Sequence, residues 1–250
     1  MAGTAVLGRL IWRVATVCGV IVETARTKSL VLSVPGWPGH RPGQHVDVRL
    51  TAEDGYQAQR SYSIASPPED GERITLTVER LDDGEVSTYL AGDLRVGDPL
   101  ELRGPIGGYF TWTVADGAPL LLVAGGSGIA PLMAMLRHHA ASGSDAPAVL
   151  LYSSRTVDDI IYRSELDELA TPDLRTVVHT LTRGQPTGWP GYRRRIDSAM
   201  LSQVFGGPSP GALAYVCGPT SLVEGVATTL VNLGFAADQV RTERFGPTGG

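Results

Sequence analysis

Only two cysteines occur in the 250 residues, Cys18 and Cys217, and they share no metal-ligand spacing. A disulfide framework is not expected, and a four-cysteine iron–sulfur site cannot be built from these residues. The five histidines offer no ligand pair either, because His138 and His139 are adjacent and point in different directions on a helix. No protein metal site is therefore expected. Lysine is nearly missing: Lys28 is the sole lysine among 21 basic residues, so any basic patch must be built from arginine. A net charge of −5 and the lack of a basic face argue against a nucleic-acid partner. Long apolar runs are missing too. The stretch Val14 to Val22 stops at Glu23, is too short to span a bilayer and lacks a cleavage-like tail. It reads as a strand in a cytoplasmic protein with no membrane insertion.

What is present suits a globular chain. A hydrophobic fraction of 42% is ample for a core, and the length allows one large domain or two modest ones. The 31 glycines and 17 prolines are spread among periodic segments rather than gathered into low-complexity tracts.

Two halves follow different patterns. Up to about residue 112, short alternating or β-branched runs predict strands at Ile11–Glu23, Ser29–Val34, His45–Thr51, Arg60–Ala65, Arg73–Leu81 and Leu100–Arg103. One short helix fits Val86–Leu94. Strands at this spacing suggest an antiparallel barrel or sandwich. After Ala115–Pro119 the grammar changes to alternating strands and helices. Strands are predicted at Leu120–Ala124, Ala148–Tyr152, Thr176–Leu181, Leu213–Val216 and Val240–Arg244. Between them, helices are expected around Pro131–Leu136 and over Val157–Leu169, Ser198–Phe205 and Ser221–Leu233. That is the pattern of a doubly wound α/β domain with a mostly parallel sheet. The expected division is residues 1–114 and 115–250.

Open α/β sheets bind ligands beyond the carboxyl ends of their strands. Gly125-Gly126-Ser127-Gly128, Tyr152–Thr156 and Cys217-Gly218-Pro219 are placed there. Glycines let a phosphate or ring approach the backbone, and a following helix N-terminus favours an anion. GGSG is not the common dinucleotide fingerprint, and each turn alone also suits plain packing. In the first half, Arg60-Ser61-Tyr62-Ser63 places a guanidinium, a ring and two hydroxyls on one strand. Alternation puts Arg60 and Tyr62 on one face and Ser61 and Ser63 on the other. A flat, charged ligand is one reason for that set; an exposed Arg beside a core Tyr is another.

Taken in order, RSYS (Arg60–Ser63), GEVS (Gly84–Ser87), GGSGIAP (Gly125–Pro131), CGP (Cys217–Pro219) and ERFG (Glu243–Gly246) resemble the ferredoxin–NADP+ reductase family. The resemblance runs from about Trp12 to Gly246. It implies an antiparallel Greek-key β-barrel that binds FAD, followed by the α/β domain for the nicotinamide nucleotide. It further implies that Tyr62 stacks on the flavin ring, that Arg60 meets the pyrophosphate and that Ser63 lies near flavin N5. By the same likeness the backbone of Thr77, Val78, Glu79 and Arg80 lines the ring. Gly84, Glu85, Val86 and Ser87 offer open N–H groups to the flavin phosphates. Ser127 matches the junction between flavin and nicotinamide. Arg155, Arg183 and Arg195 fall where NADPH-using relatives hold the 2′-phosphate, with Thr182 as a hydroxyl donor. Cys217 and Glu243 are placed near the reacting carbon, and the resemblance leaves open whether Phe245 or the Gly-rich tail shields the ring. Plant-type relatives end on an aromatic residue, whereas this sequence ends GPTGG.

The expected activity is flavin-dependent oxidoreduction, with NADPH preferred to NADH and FAD to FMN. Electrons then pass singly to a separate carrier such as ferredoxin, from a monomeric enzyme. The alternatives are an NADH-dependent reductase component of an oxygenase or molybdoenzyme system, and a non-turnover flavin subunit of a larger complex.

Overall fold

A computed structural model describes residues 10–245; Gly246 of the ERFG motif and the GPTGG tail lie outside the described residues. In the first half, alternation produces six antiparallel strands: β1 (Trp12–Thr24), β2 (Thr27–Ser33), β3 (His45–Thr51), β4 (Gln57–Ser63), β5 (Arg73–Glu79) and β6 (Pro99–Ile106). Their order in the sheet is β4-β3-β6-β1-β2-β5, a Greek-key arrangement. The chain just after β4 returns to β5 through an Ile64–Leu76 bridge and an Ala65 N–H bonded to Thr75 O at 2.8 Å, which closes the barrel. Inward residues such as Val46, Val48, Leu76, Val78 and Leu102 are fully buried. Helix α1 (Glu85–Gly92) plugs this core with Val86, Leu90 and Ala91.

The second half is a five-stranded parallel sheet in the order β11-β10-β7-β8-β9. Its strands are β7 (Leu120–Gly125), β8 (Ala148–Ser154), β9 (Arg175–Leu181), β10 (Leu213–Pro219) and β11 (Val240–Phe245). The helices are α2 (Ile129–Ala141), α3 (Arg163–Leu169), α4 (Ser198–Phe205) and α5 (Thr220–Asn232). β7 is wholly buried, and its side chains alternate between two cores. Leu120, Leu122 and Ala124 face α2 and α3, while Leu121 and Val123 face α4 and α5. A strand covered on both faces explains the unbroken apolar run. The winding reverses between β7 and β10, so the crevice at their carboxyl ends is the topological switch point.

The α2 side of this sheet packs on the barrel: Ala65, Phe110 and Trp112 belong to the same core as α2 and β10. Tyr215 donates its hydroxyl to Thr111 O at 2.8 Å, and Arg137 on α2 donates to Ala65 O at 2.7 Å.

Two expectations are corrected. The helix expected over Val157–Leu169 is broken into a 3₁₀ turn at Val157–Asp159 and α3. Thr156 and Asp159 cap each other reciprocally, and Ile160, Ile161 and Tyr162 then leave helical geometry to be buried. Cys217-Gly218-Pro219 is not a turn after the fourth parallel strand but its last part, since β10 runs to Pro219 and α5 starts at once.

Candidate functional site

On β4, Arg60 and Tyr62 lie opposite the inward-facing Val48 and Val46. Tyr62 is half-buried against the barrel core, and burial pushes its phenol up to about 12. Arg60 is exposed; its guanidinium donates to Gln59 O at 2.7 Å and has no acidic partner among the described residues. Ser61 faces the other way and donates to Asp47 at 2.7 Å, while Arg103 pairs with the second oxygen of Asp47 at 2.9 Å. This clamp pins the strand that carries Arg60 and Tyr62. Ser63 is buried, and its Oγ has no hydrogen-bond partner. A sealed, unpaired hydroxyl costs about 1–3 kcal/mol, so a ligand atom there would relieve it.

The GEVS turn offers backbone rather than side chains. Ser87 Oγ accepts from Leu81 N at 3.2 Å and donates to Gly84 O at 3.2 Å, and Glu85 accepts from Tyr56 OH at 3.2 Å. No side chain caps the N-terminus of α1, so its first N–H groups remain for an anion. Gly84 is crowded: a Cβ there would lie 2.9 Å from Leu81 Cβ and would displace the Ser87 hydroxyl.

On β5, Val78 points into the barrel while Thr77 and Glu79 face the α/β domain. Beyond the Leu76 bridge no described strand pairs with the outer edge of β5, which leaves an edge of backbone groups for a planar ring. At the strand's end, Arg80 N donates to Arg26 O at 2.7 Å, and Arg80 O accepts from the Arg26 guanidinium. Glu79 accepts from Ser127 Oγ at 2.7 Å, which brings the glycine loop of one domain onto β5 of the other.

That loop packs backbone against backbone on β10. A Cβ on Gly128 would sit 2.3 Å from Cys217 O, so no larger residue fits without moving the strand. Gly125 is less tight: a Cβ there would lie 2.8 Å from Leu222 Cδ1 and 3.1 Å from Pro219 Cδ. Gly126 has φ +54°, and its carbonyl accepts from Tyr152 OH at 3.0 Å. Gly218 and Pro219 line the opposite wall, Pro219 lying in register with Phe245. Phe245 packs into the core that holds Cys217.

Cys217 and Glu243 are cross-strand neighbours on β10 and β11. Burial, and then the nearby Glu243, push the thiol well above its ordinary range. Burial pushes the Glu243 carboxyl up to about 7, and its Oε2 has no partner. The flanking arginines leave it alone: Arg241 donates to Thr111 O at 2.6 Å, and Arg244 pairs with Glu224 at 2.6 Å. The outcome is a neutral thiol beside a carboxyl able to hold or release a proton near neutrality.

Arg155 and Arg183 sit at the ends of adjacent strands, joined by Arg183 N–H to Arg155 O at 2.9 Å. Thr182 Oγ1 donates to Ser154 O at 3.2 Å, so its hydroxyl hydrogen is committed there. Arg195 lies farther along the loop, whose Arg194 carbonyl accepts from Thr180. Arg155, Arg183 and Arg195 are exposed and form no ion pair among the described residues, whereas Arg194 is held by Asp197 at 2.6 Å. Sequence reasoning placed Tyr152 at a ligand-binding strand end without its bond to the glycine loop, and it missed Asp47, Glu23 and Tyr162, none of which carries a local motif.

The residues fit a flavin and a dinucleotide: the barrel domain holds an orphaned hydroxyl, an open strand edge and an uncapped helix start, and the Ser127–Glu79 bond brings the glycine cradle onto that strand. No helix among the described residues is long and apolar enough to cross a membrane, and these residues contain no group of His, Cys, Asp or Glu able to hold a metal.

Residues 23–111 match the oxidoreductase FAD-binding domain and residues 122–228 the oxidoreductase NAD-binding domain. The sequence is 34% identical over 240 residues to the glycine betaine monooxygenase reductase subunit of Chromohalobacter salexigens. That alignment takes in 92% of this chain and 63% of the relative. The chain belongs to the ferredoxin reductase family. A second member, the ferredoxin reductase component of 3-ketosteroid-9-alpha-monooxygenase from Mycolicibacterium smegmatis, is 31% identical and is covered to 64%. The chain thus spans somewhat under two thirds of these curated relatives. Among solved structures, an Amycolatopsis cytochrome P450 reductase superposes with a TM-score of 0.83 at 25% identity, over 99% of this chain and 74% of that one. A ferredoxin NADP+ reductase from Neisseria gonorrhoeae with bound FAD and NADP shares the fold, with a TM-score of 0.79 at 20% identity over 93% of this chain and 98% of that one.

Proposed function

We propose that this chain oxidises NADPH through FAD and passes electrons singly to a separate redox protein of the ferredoxin or oxygenase-component class. When bound, FAD supplies the hydride acceptor and the conversion from paired to single electrons. The chain's residues supply position. Arg60 and the first N–H groups of α1 would hold the flavin phosphates, Tyr62 would face its ring, and Ser63 would meet a ring heteroatom. The glycine loop and Gly218 would let the nicotinamide approach between them, beside Cys217. Glu243 would hold a proton at its carboxyl during turnover. The observation that carries this reading is the Ser127–Glu79 bond, which joins the nucleotide loop to the flavin-side strand.

The unpaired arginines at 155, 183 and 195 favour NADPH, because a dianionic phosphate rewards charged forks. The names of the curated relatives favour an oxygenase system as the destination of the electrons. The test is direct. The purified chain should be yellow, release FAD on denaturation, and reduce ferricyanide faster with NADPH than with NADH at equal low concentrations. A colourless protein that no flavin reconstitutes overturns the reading, and rapid NADH oxidation with no NADPH preference overturns the phosphate assignment.

A further inference from the structure

Tyr162 stands where the broken helix leaves regular geometry. Its backbone has φ +60° and ψ +27°, the left-handed region that a bulky residue rarely occupies. Such a conformation is strained and persists only where the surroundings over-determine it. Here they do. The side chain is 4% exposed, and the Arg137 guanidinium lies 4.8 Å from its ring centroid. Arg137 is itself held by Glu165 in a two-point pair at 2.7 and 2.6 Å and by Ala65 O of the barrel.

The polar ends of Tyr162 both reach across the domain interface. Its N–H donates to Glu23 Oε2 at 3.2 Å, and its hydroxyl bonds to Thr77 Oγ1. Glu23 and Thr77 are tied together through Ser29, whose Oγ donates to Glu23 at 2.7 Å and lies 3.0 Å from Thr77 Oγ1. On the other side, the preceding residue leads to the glycine loop. Ile161 N–H donates to Tyr152 OH at 3.4 Å, and Tyr152 OH donates to Gly126 O at 3.0 Å. One turn of chain therefore links Gly126 to Thr77. The neighbouring bond links Ser127 to Glu79, two residues along the same strand and on the same face.

We propose that Tyr162 is a positioning residue that fixes the separation between the Gly126–Ser127 loop and strand β5, and hence between the two reacting rings. This rests on the flavin–nicotinamide reading above. Two struts from one strand face define a distance and an orientation, whereas the Ser127–Glu79 bond alone would allow the loop to pivot. Group transfer between bound partners is steep in distance: an error of 1 Å can cost about a hundredfold in rate.

The test uses the flavin-loaded chain and the variants Tyr162→Phe and Glu23→Gln. Tyr162→Phe keeps the buried ring and removes the hydroxyl; Glu23→Gln weakens the backbone anchor. The rate of flavin bleaching at saturating NADPH should fall roughly tenfold in Tyr162→Phe and less in Glu23→Gln. The half-saturating nucleotide concentration and the flavin content should stay near wild type. Independently of activity, hydrogen exchange should quicken at amides 77–79 and 126–128 in both variants. Wild-type bleaching rates in both variants, or unchanged exchange at those amides, would overturn the proposal. Should Tyr162→Phe lose its flavin or its fold, Glu23→Gln decides. A wild-type chain that neither nucleotide bleaches refutes the reductase reading itself, a result distinct from variants that bleach at full rate.

Discussion

Replacing Glu243 by Gln should make the protein more stable at pH 8 and leave it nearly unchanged at pH 4.5. Burial lifts this carboxyl from its ordinary 4.5 to about 7. The folded chain therefore keeps a proton that the unfolded chain releases. Because the native state binds more protons between those two values, stability falls as pH rises through the window. The contribution is fully present below pH 4.5 and gone above about pH 7. At 1.36 kcal/mol per pKa unit, the loss is about 3 kcal/mol as an upper value. Solvent reaching the less sealed Oε1 reduces it. Gln has nearly the same shape and no charge to desolvate, so it escapes the loss. Arg241 and Arg244 do not rescue the wild-type anion, because each is bonded elsewhere. The assay is thermal unfolding of both proteins from pH 4.5 to 8.5. For a chain of this size about 3 kcal/mol corresponds to roughly 6–12 °C. The variant's advantage should open progressively between pH 5 and 7. A difference flat with pH would refute the buried-acid argument, and a variant that loses stability at high pH would mean that the anion has a stabilising partner.

Other outcomes follow from neighbouring residues. Arg183→Ala should raise the NADPH Michaelis constant by roughly ten- to a hundredfold through lost charge-assisted binding, with NADH kinetics almost unmoved; equal effects on both nucleotides would remove Arg183 from the phosphate site. Native protein should show one thiol reactive to a disulfide reagent, from the exposed Cys18, and a second only after denaturation, because Cys217 is buried and its thiol pKa is raised. Two fast-reacting thiols in the native state would contradict that burial. Gly128→Ala should abolish nucleotide-dependent bleaching or destabilise the α/β domain, since its methyl would press on Cys217 O; a fully active variant would show that the loop has slack.

Much of this architecture was legible because local rules agree with it. His45–Thr51 alternates and forms β3 with those limits, and Ser198–Phe205 is a helix with its expected limits, its N-cap Asp197 accepting from Met200 N at 2.8 Å. Leu120–Ala124 reads as a doubly covered strand and is one. The helix over Val157–Leu169 was illegible in its true form. Its pattern is helical, but the buried Ile160-Ile161-Tyr162 segment is bent by contacts to a domain more than eighty residues away. Glu23, Thr77 and Tyr162 have no sequence neighbour that hints at their meeting. Glu243 stood out in the sequence only through the resemblance, and no local pattern shows that Arg241 and Arg244 beside it are bonded elsewhere.

The connection from β9 to β10 reverses the direction in which the sheet is wound, and the same stretch, residues 182–197, carries Arg183 and Arg195. Its return is stapled in place: Leu181 N–H bonds to Tyr192 O at 3.0 Å, Tyr192 N–H to His179 O at 3.0 Å, and Thr180 to Arg194 O. Most of the tip is exposed, but Trp189 packs against the α2-side core, and Tyr192 and Ile196 pack against the α4–α5 core. On the proposed reading, the exposed side chains that set coenzyme choice are separable from the residues that anchor the loop. A swap of Arg183 and Arg195 that keeps Trp189, Tyr192 and Ile196 would then alter which nucleotide is favoured, with the barrel, the glycine cradle and the Cys217–Glu243 pair inherited intact.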